Sequence, residues 1–404
     1  MSTYLLFGLF GATLFGIARH HKYALRIAAA GLVAVVLVRF GLTDFDFVEH
    51  FHHEWRDLVN LGGLLLGFSV LANHFERSHV PEKLTTVLPG GAWGAFALLL
   101  IVAVLSMVLD NIAAALIGGS AAVTLFKRKV HIGYLAAIVA ASNAGGAGSV
   151  VGDTTTTMIW LSGVSPLHVI EASIGAVVAI AFFGAFASRQ QTRLQPLVRQ
   201  VDAEKKVDLA QVAIVAGILV AAVLTNLLFE LPAAGVWGAI LIGSLVRRPD
   251  WSVVPTAAVG SAFLLCLVMS ASMMPVESLP SASQWTTLGL GAVSSVFDNI
   301  PLTKLALAQG GYDWGFLAYC VGYGGSMLWF GSSAGVAISS IFPEAKSAAQ
   351  WLVAGWHVIV GYVLGFLAMV LLLGWHAEPP HGPNAHLSTH EPSMTAPAGA
   401  TAPK

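Results

Sequence analysis

Charge is scarce in this 404-residue sequence: 10% of its residues are charged against 56% hydrophobic, and mean hydropathy is +0.77. A soluble domain usually carries about a quarter charged residues, so the deficit excludes an ordinary water-soluble globule and puts the chain in a lipid bilayer. Cysteine is nearly absent. Cys266 and Cys320 both fall inside apolar runs, where buried thiols are expected rather than a disulfide or a metal pair. There is no basic patch of the kind nucleic acid requires, and the formal net charge of −1 points to no partner. The first apolar run has no basic start and no small-residue cleavage site before Arg19-His20-His21-Lys22, and reads as a retained helix. No His-Glu metal motif or Ser/His dyad falls at mid-membrane depth, which argues against an enzyme, and no cofactor is expected.

What the chain does have is apolar runs, at 3–18, 24–41, 58–73, 92–126, 131–162, 166–187, 210–228, 233–246, 253–275, 285–309, 313–342 and 350–374. A helix needs roughly 20 residues to cross the hydrocarbon core, so 92–126 is too long for one crossing. Lys and Arg mark cytoplasmic loops; they cluster at Arg19–Arg26, Arg77–Lys83, Lys127-Arg128-Lys129, Arg189–Lys206 and Arg247-Arg248, whereas loop 43–57 is mostly acidic. Threaded from outside, three crossings reach the cytoplasm near residue 76. Residues 92–126 then enter and return on one side, as two full crossings or as a re-entrant hairpin. The expected fold is an all-α polytopic membrane protein built as an inverted repeat. Each half has three crossings, a re-entrant hairpin, a glycine-broken helix and a final helix. Residues 1–187 and 210–375 form the halves, 188–209 a cytoplasmic linker, and 376–404, rich in Pro, Ala, His, Ser and Thr, a disordered tail.

Two tripeptides recur in the middle of apolar runs: Asp110-Asn111-Ile112 and Asp298-Asn299-Ile300. Each precedes a glycine-broken segment. One runs from Asn143 through Gly145, Gly146, Gly148, Gly152 and Asp153 to Thr154, Thr155, Thr156 and Thr157. The other runs from Gly322 through Gly324, Gly325, Ser326 and Gly331 to Ser333. A carboxylate in hydrocarbon is costly, and interrupted helices at matching places in two halves mark the binding site of a secondary transporter. Unwinding frees carbonyls, and the threonines add hydroxyls, the oxygen ligands that hard cations such as Na⁺ take. A close-packing glycine face with Asp153 as an N-cap is the plainer reading. Asp110 and Asp298 each suit an N-cap of the returning hairpin helix, a role compatible with ion binding. Pro301 fits the start of that helix. Ser106, Ser294 and Ser295 would add hydroxyls near the tips.

The segments Asp110-Asn111-Ile112, Ser142-Asn143-Ala144-Gly145-Gly146, Gly152-Asp153-Thr154-Thr155-Thr156 and Asp298-Asn299-Ile300-Pro301-Leu302-Thr303 resemble those of NhaD-type sodium/proton antiporters. These belong to an ion-transporter superfamily that also holds arsenite, citrate and dicarboxylate permeases. The resemblance covers roughly 58–375. It implies a scaffold domain, a transport domain with two opposed hairpins, a homodimer, and a multi-pass place in a bacterial inner membrane. It also implies functional roles for Ser106, Asp110, Asn143, Asp153, Thr155, Thr156 and Asn299. Na⁺ is expected at Asp110, Asn143, Asp153, Thr155 and Asn299, with Asn111, Thr154 and Asp298 adjoining, and Na⁺ and H⁺ as the transported ions. Ala113 and Lys304 depart from the pattern; a hydroxyl and an apolar residue are expected there.

Two transport chemistries compete. Proton and cation compete for a buried carboxylate, which is the simplest basis for exchange. A permease for citrate, another dicarboxylate or arsenite would instead favour Lys, Arg and half-helix N-termini. Three Asp against Lys304 alone favour the cation. Lys304 is then expected to offset Asp298; in an anion carrier it would be a ligand. Lesser candidates are His50, His52, His53 and Glu54, read as solvated loop rather than a metal site. His357 is read as a packed core histidine and Glu171 as interfacial. Trp285, Trp314, Trp351 and Trp375 read as an interface belt, and the tail histidines His376, His381, His386 and His390 as solvated.

Overall fold

Every regular element is helical, and no strand occurs among the described residues. The computed structural model describes residues 2–20, 23–42, 46–80, 83, 88–197, 206–229, 231–275, 278–297 and 299–378. Asp298, at the second tip, and the tail from 379 onward lie outside the described residues.

Three helices open the chain: Ser2–Arg19 (α1), Ala24–Leu42 (α2) and Phe47–Arg77 (α3). Asp46 caps α3, its carboxylate accepting from Val48 N and Glu49 N at 2.8 and 3.1 Å. The stretch expected as an acidic loop over 43–57 is therefore helical from residue 47, and His50 and Glu54 lie on a helix. The long run 92–126 divides into Gly91–Ser106 (α4) and Asn111–Leu125 (α5), packed on one another as a hairpin. At 16 and 15 residues, each falls short of a full crossing. Ile132–Ala147 (α6) and Thr154–Leu161 (α7) are the first broken pair, followed by Pro166–Ile170 (α8) and Ala172–Leu194 (α9). α9 runs past residue 188 into the expected linker.

Leu209–Phe229 (α10), Pro232–Gly243 (α11) and Val253–Ser272 (α12) come next. Asp208 heads α10 and pairs with Arg247 at 3.0 Å; the guanidinium and the first N–H groups of α10 hold this carboxyl below the usual range. The second hairpin is Gln284–Ser294 (α13) and Asn299–Gln309 (α14). The second broken pair is Trp314–Gly324 (α15), continued by a 3-10 turn at Gly325–Met327, and Ser333–Ile341 (α16). The last run, expected as one crossing, is instead Ala348–Ala354 (α17) and Trp356–Leu372 (α18), bent by 61° at Gly355. Two close approaches explain why the bend is at glycine: a Cβ on Gly355 would stand 2.7 Å from Trp351 O of α17 and 2.9 Å from Ala136 Cβ of α6. Residues 376–378, expected as the start of the disordered tail, are held: His376 N–H donates to Asp313 Oδ2 at 2.9 Å and Glu378 N–H to Tyr312 O at 3.2 Å.

Among the described residues five helices are long and apolar enough to span a bilayer, six if the bent α17–α18 pair counts as one. The helices pack in two groups. The first is α1, α2, α3, α10, α11 and α12. The second holds the two hairpins, the two broken pairs, α9 and α18. At its centre every residue of α15 is buried, as is nearly all of α6. Each hairpin leans on the broken helix of the other half, α5 against α16 and α14 against α7. Trp314 and Trp351, expected in an interface belt, are each 1% exposed, while Trp285 is open. Trp314 belongs to the core because every residue of α15 is buried, and Trp351 because its ring is turned inward to Ser326 O while the rest of α17 stays partly or fully exposed.

A candidate ion site

The two breaks share one construction. In the first, a side chain on Gly146 would meet Gly152 O at 2.8 Å and Ser106 Oγ at 3.1 Å, and one on Gly152 would collide with Ser106 O. In the second, a side chain on Gly325 would meet Gly331 O at 2.8 Å, and one on Gly331 would collide with Ser295 O. Gly145 and Gly324 lie just as close to the backbones of Ala103 and Gly291. Glycine is required because each unwound segment is pressed against the inbound arm of its own hairpin.

Past the break, Asp153 caps α7, its Oδ1 accepting from Thr155 N at 3.3 Å. The residue is 2% exposed. Asn299, the first residue of α14, donates from Nδ2 to the same Oδ1 at 3.4 Å. The other oxygen, Oδ2, faces Gly322, where a Cβ would stand 2.8 Å away. Four residues along from Gly322, Ser326 Oγ accepts from Asn143 Nδ2 at 2.9 Å. Residues four apart on a helix share a face, so Asn143 and Asp153 lie against the same side of α15 and its 3-10 extension. Trp351 Nε1 donates to Ser326 O at 3.2 Å and fixes that turn.

Three oxygens on the segments that build the first break are buried with no hydrogen-bond partner among the described residues: Ser106 Oγ, Asn143 Oδ1 and Thr155 Oγ1. Such atoms are rare in folded proteins and each calls for a ligand, a water or an ion. The other threonines are committed differently. Thr156 Oγ1 lies 2.5 Å from Ser149 O and 2.8 Å from Asp153 O, and Thr157 Oγ1 lies 2.9 Å from both Val150 O and Asp153 O. They lash the unwound segment to the start of α7. Thr154 is half-buried.

The remaining expected residues fall into place unevenly. Asp110 caps α5, Oδ1 accepting from Ala113 N at 2.7 Å, and the hydroxyl expected at Ala113 is not needed for that bond. Asp110 and Asn111 are half-buried; of the five residues expected to hold Na⁺, Asp153 is in hydrogen-bond contact with Thr155 N and Asn299, and Asn143 with Ser326. Ser294 and Ser295 donate their hydroxyl hydrogens to Val321 O and Ala292 O, at 2.9 and 2.6 Å. Lys304, expected to offset Asp298, pairs with Glu54 Oε2 at 2.7 Å. His50 bonds Ser272 Oγ at 2.9 Å, which ties α3 to α12. No group of three or more His, Cys, Asp or Glu able to hold a metal occurs among the described residues. His357 is buried against Gln190 Oε1, 3.0 Å away. Sequence reasoning missed Gly322, which makes room for Asp153, and Trp351. The repeat carried a signal for the first, since Gly322 leads the second broken segment where Asn143 leads the first.

Residues 12–315 match the model of a family described as citrate transporters. The chain belongs to that family. Its members are transporters, not catalytic enzymes, and the apolar helices make this member a multi-pass membrane protein. Among curated relatives, sodium/proton antiporter 1 of Arabidopsis thaliana is 28% identical over 325 residues, 68% of this chain and 55% of that protein. Sodium/proton antiporter 2 of the same plant is 27% identical over 286 residues, 59% of this chain and 67% of that protein. The chain thus spans little more than half the length of the first relative.

Proposed function

We propose that this family member is a secondary active transporter that exchanges Na⁺ or Li⁺ for H⁺ through the carboxylate of Asp153. The observation that carries the reading is a buried carboxylate, Asp153, together with three buried oxygens that have no hydrogen-bond partner among the described residues, Ser106 Oγ, Asn143 Oδ1 and Thr155 Oγ1, on the segments that meet at the first break. Oxygen-only ligation of this kind suits a hard cation. A carboxylate in a low-dielectric site holds either a proton or a cation, and this competition makes the coupling obligatory. Asn299 orients the carboxylate by donating to Oδ1, and Asn143 is oriented by Ser326. In this reading Asp110 serves as the cap of α5 rather than as a ligand. The names of the two plant relatives support the same chemistry.

The family's description favours a second reading, uptake of citrate or a related anion. The half-helix N-termini of α7 and α16 would suit an oxyanion. Against it, the cation on the second hairpin is engaged by Glu54, and the carboxylate at the site repels anions. The test is exchange in proteoliposomes with a trapped pH dye, presenting Na⁺, Li⁺, K⁺, citrate and arsenite in turn. Na⁺- or Li⁺-driven pH change supports the proposal; citrate or arsenite uptake without one replaces it.

The same reading carries an inverted repeat (1–187 and 210–375), a homodimer and a place in a bacterial inner membrane. Single-cysteine labelling should find positions 128 and 200 cytoplasmic and 279 and 311 external. Labelling of 128 and 311 from one side would contradict the repeat.

A further inference from the structure

A small apolar cluster lies where the two helix groups meet. One buried side chain from each of four helices forms it: Leu61 of α3, Met158 of α7, Val268 of α12 and Ile300 of α14. A charged contact crosses at its edge. Lys304 Nζ of α14 lies 2.7 Å from Glu54 Oε2 of α3, with the two side chains only 12% and 16% exposed. Burial of that degree makes an ion pair matter, because either charge left alone is poorly solvated.

We propose that the Glu54–Lys304 pair is broken and remade in every transport cycle, so that both are positioning residues of the translocation step rather than ligands. The proposal rests on the reading of this chain as a carrier. A carrier must expose its site to each face in turn, which it does by moving one bundle against another. Here the site belongs to the second group. Asn299, at the start of α14, touches the Asp153 carboxylate, and Lys304 sits on the same short helix. Any displacement of the site relative to α3 therefore carries Lys304 with it. The face of α3 that Lys304 would travel along continues from Glu54 through Leu58, Leu61 and Leu65, all three in the apolar cluster. A shift of one helical turn, about 5.4 Å, sets the ammonium against leucines and leaves Glu54 behind. The pair cannot follow the movement, and so holds the carrier in the arrangement described here.

Two measurements test this. Nitroxides at Glu54→Cys and Lys304→Cys, in a background with Cys266→Ala and Cys320→Ala, report the spacing of the two positions by pulsed electron resonance in reconstituted protein. Two distance populations are expected, their weights changing between sodium-rich alkaline and sodium-free acidic buffer and differing by about one helical turn or more. A single short distance in every condition overturns the proposal, and does so whatever ion is carried. If distances shift with citrate and not with Na⁺, the pair still opens and it is the exchange reading that fails. The second measurement needs no labels. Glu54→Lys and Lys304→Glu each face two like charges and should slow turnover by about ten-fold or more, with a smaller effect on the Na⁺ KM. Glu54→Lys combined with Lys304→Glu should recover most of the loss; a combination no faster than either single variant overturns the proposal.

Discussion

The two broken helices are alike in backbone and unlike in chemistry. Both place a Gly-Gly pair against a carbonyl six or seven residues on, both press a later glycine onto a hairpin serine, and both restart with a capped half-helix. The caps are Asp153 in one and Ser332 in the other. Asn143 leads one segment where Gly322 leads the other. The first break carries the carboxylate of Asp153 and the amide of Asn143; the second break carries the space into which the carboxylate points and Ser326, which accepts from that amide. Two breaks of like backbone thus carry unlike side chains, and the residues of the proposed site cannot be found by reading one break onto the other.

The sharpest way to break that comparison is at Asp153. Asp153→Asn keeps size and shape and can still cap α7, but it cannot exchange a proton for a cation. Exchange in proteoliposomes should fall to background while yield and monodispersity in detergent stay near wild type. Exchange at the wild-type rate would move the site elsewhere, Asp110 being the next carboxylate to vary.

Gly322→Ala tests the other side of the same contact. The added methyl would stand 2.8 Å from Asp153 Oδ2, so the carboxylate must turn away or the helices must part. An exchange loss of about ten-fold or more is expected, since overpacking a tight contact typically costs about 1–3 kcal/mol. The same change at Gly217, which has open space around it, should leave exchange untouched. Equal rates in the two variants would show that the space facing Asp153 is not needed.

How much of this was legible in the sequence depends on the range of the interaction. The hairpin tips and both breaks could be read because glycine and Asp act locally: Asp110 caps the helix it begins, and the glycines interrupt the helices they lie in. The kink at Gly355 combines a local contact with a distant one: a Cβ there would meet Trp351 O in its own run and Ala136 Cβ, more than two hundred positions away. Lys304 shows the limit most clearly. The nearest carboxylate in the sequence was Asp298, yet its partner is Glu54, 250 residues away. The loop reading of 43–57 failed for a related reason: a run of His, Glu and Arg has no apolar periodicity, but with Asp46 as cap and α12 as neighbour it is helical. Trp314 and Trp351 went wrong because an interface belt and a buried helix end both put an aromatic near the end of an apolar run.

Smaller effects should come from the neutral ligands. Asn143→Ala and Thr155→Val each remove one oxygen while Asp153 stays. Each should raise the Na⁺ KM by about ten-fold or less, the worth of one lost interaction of about 1.4 kcal/mol, with maximal rate reduced less. Thr156→Val should behave differently, because its hydroxyl is bonded to Ser149 O and Asp153 O. Thermal stability should fall there, with KM following only as the break loosens. A KM unchanged in both Asn143→Ala and Thr155→Val would remove those oxygens from the site.

The smallest effect on transport is expected at the residue that stands where Asp153 stands in the other half. Ser332 Oγ accepts from Gly335 N at 3.3 Å and caps α16. It is buried, but the partners of its half-helix are the apolar residues of α5 rather than an ion ligand. Removing an N-cap hydroxyl typically costs about 1 kcal/mol, so Ser332→Ala should lower the unfolding temperature in detergent by a few degrees. Its Na⁺ KM and its pH profile should match the wild type. The decisive readout is the contrast with Asp153→Asn: one variant less stable and active, the other stable and inactive. If Ser332→Ala instead abolished exchange in well-folded protein, the second break would hold an ion of its own, and the site would be two-fold rather than one-sided.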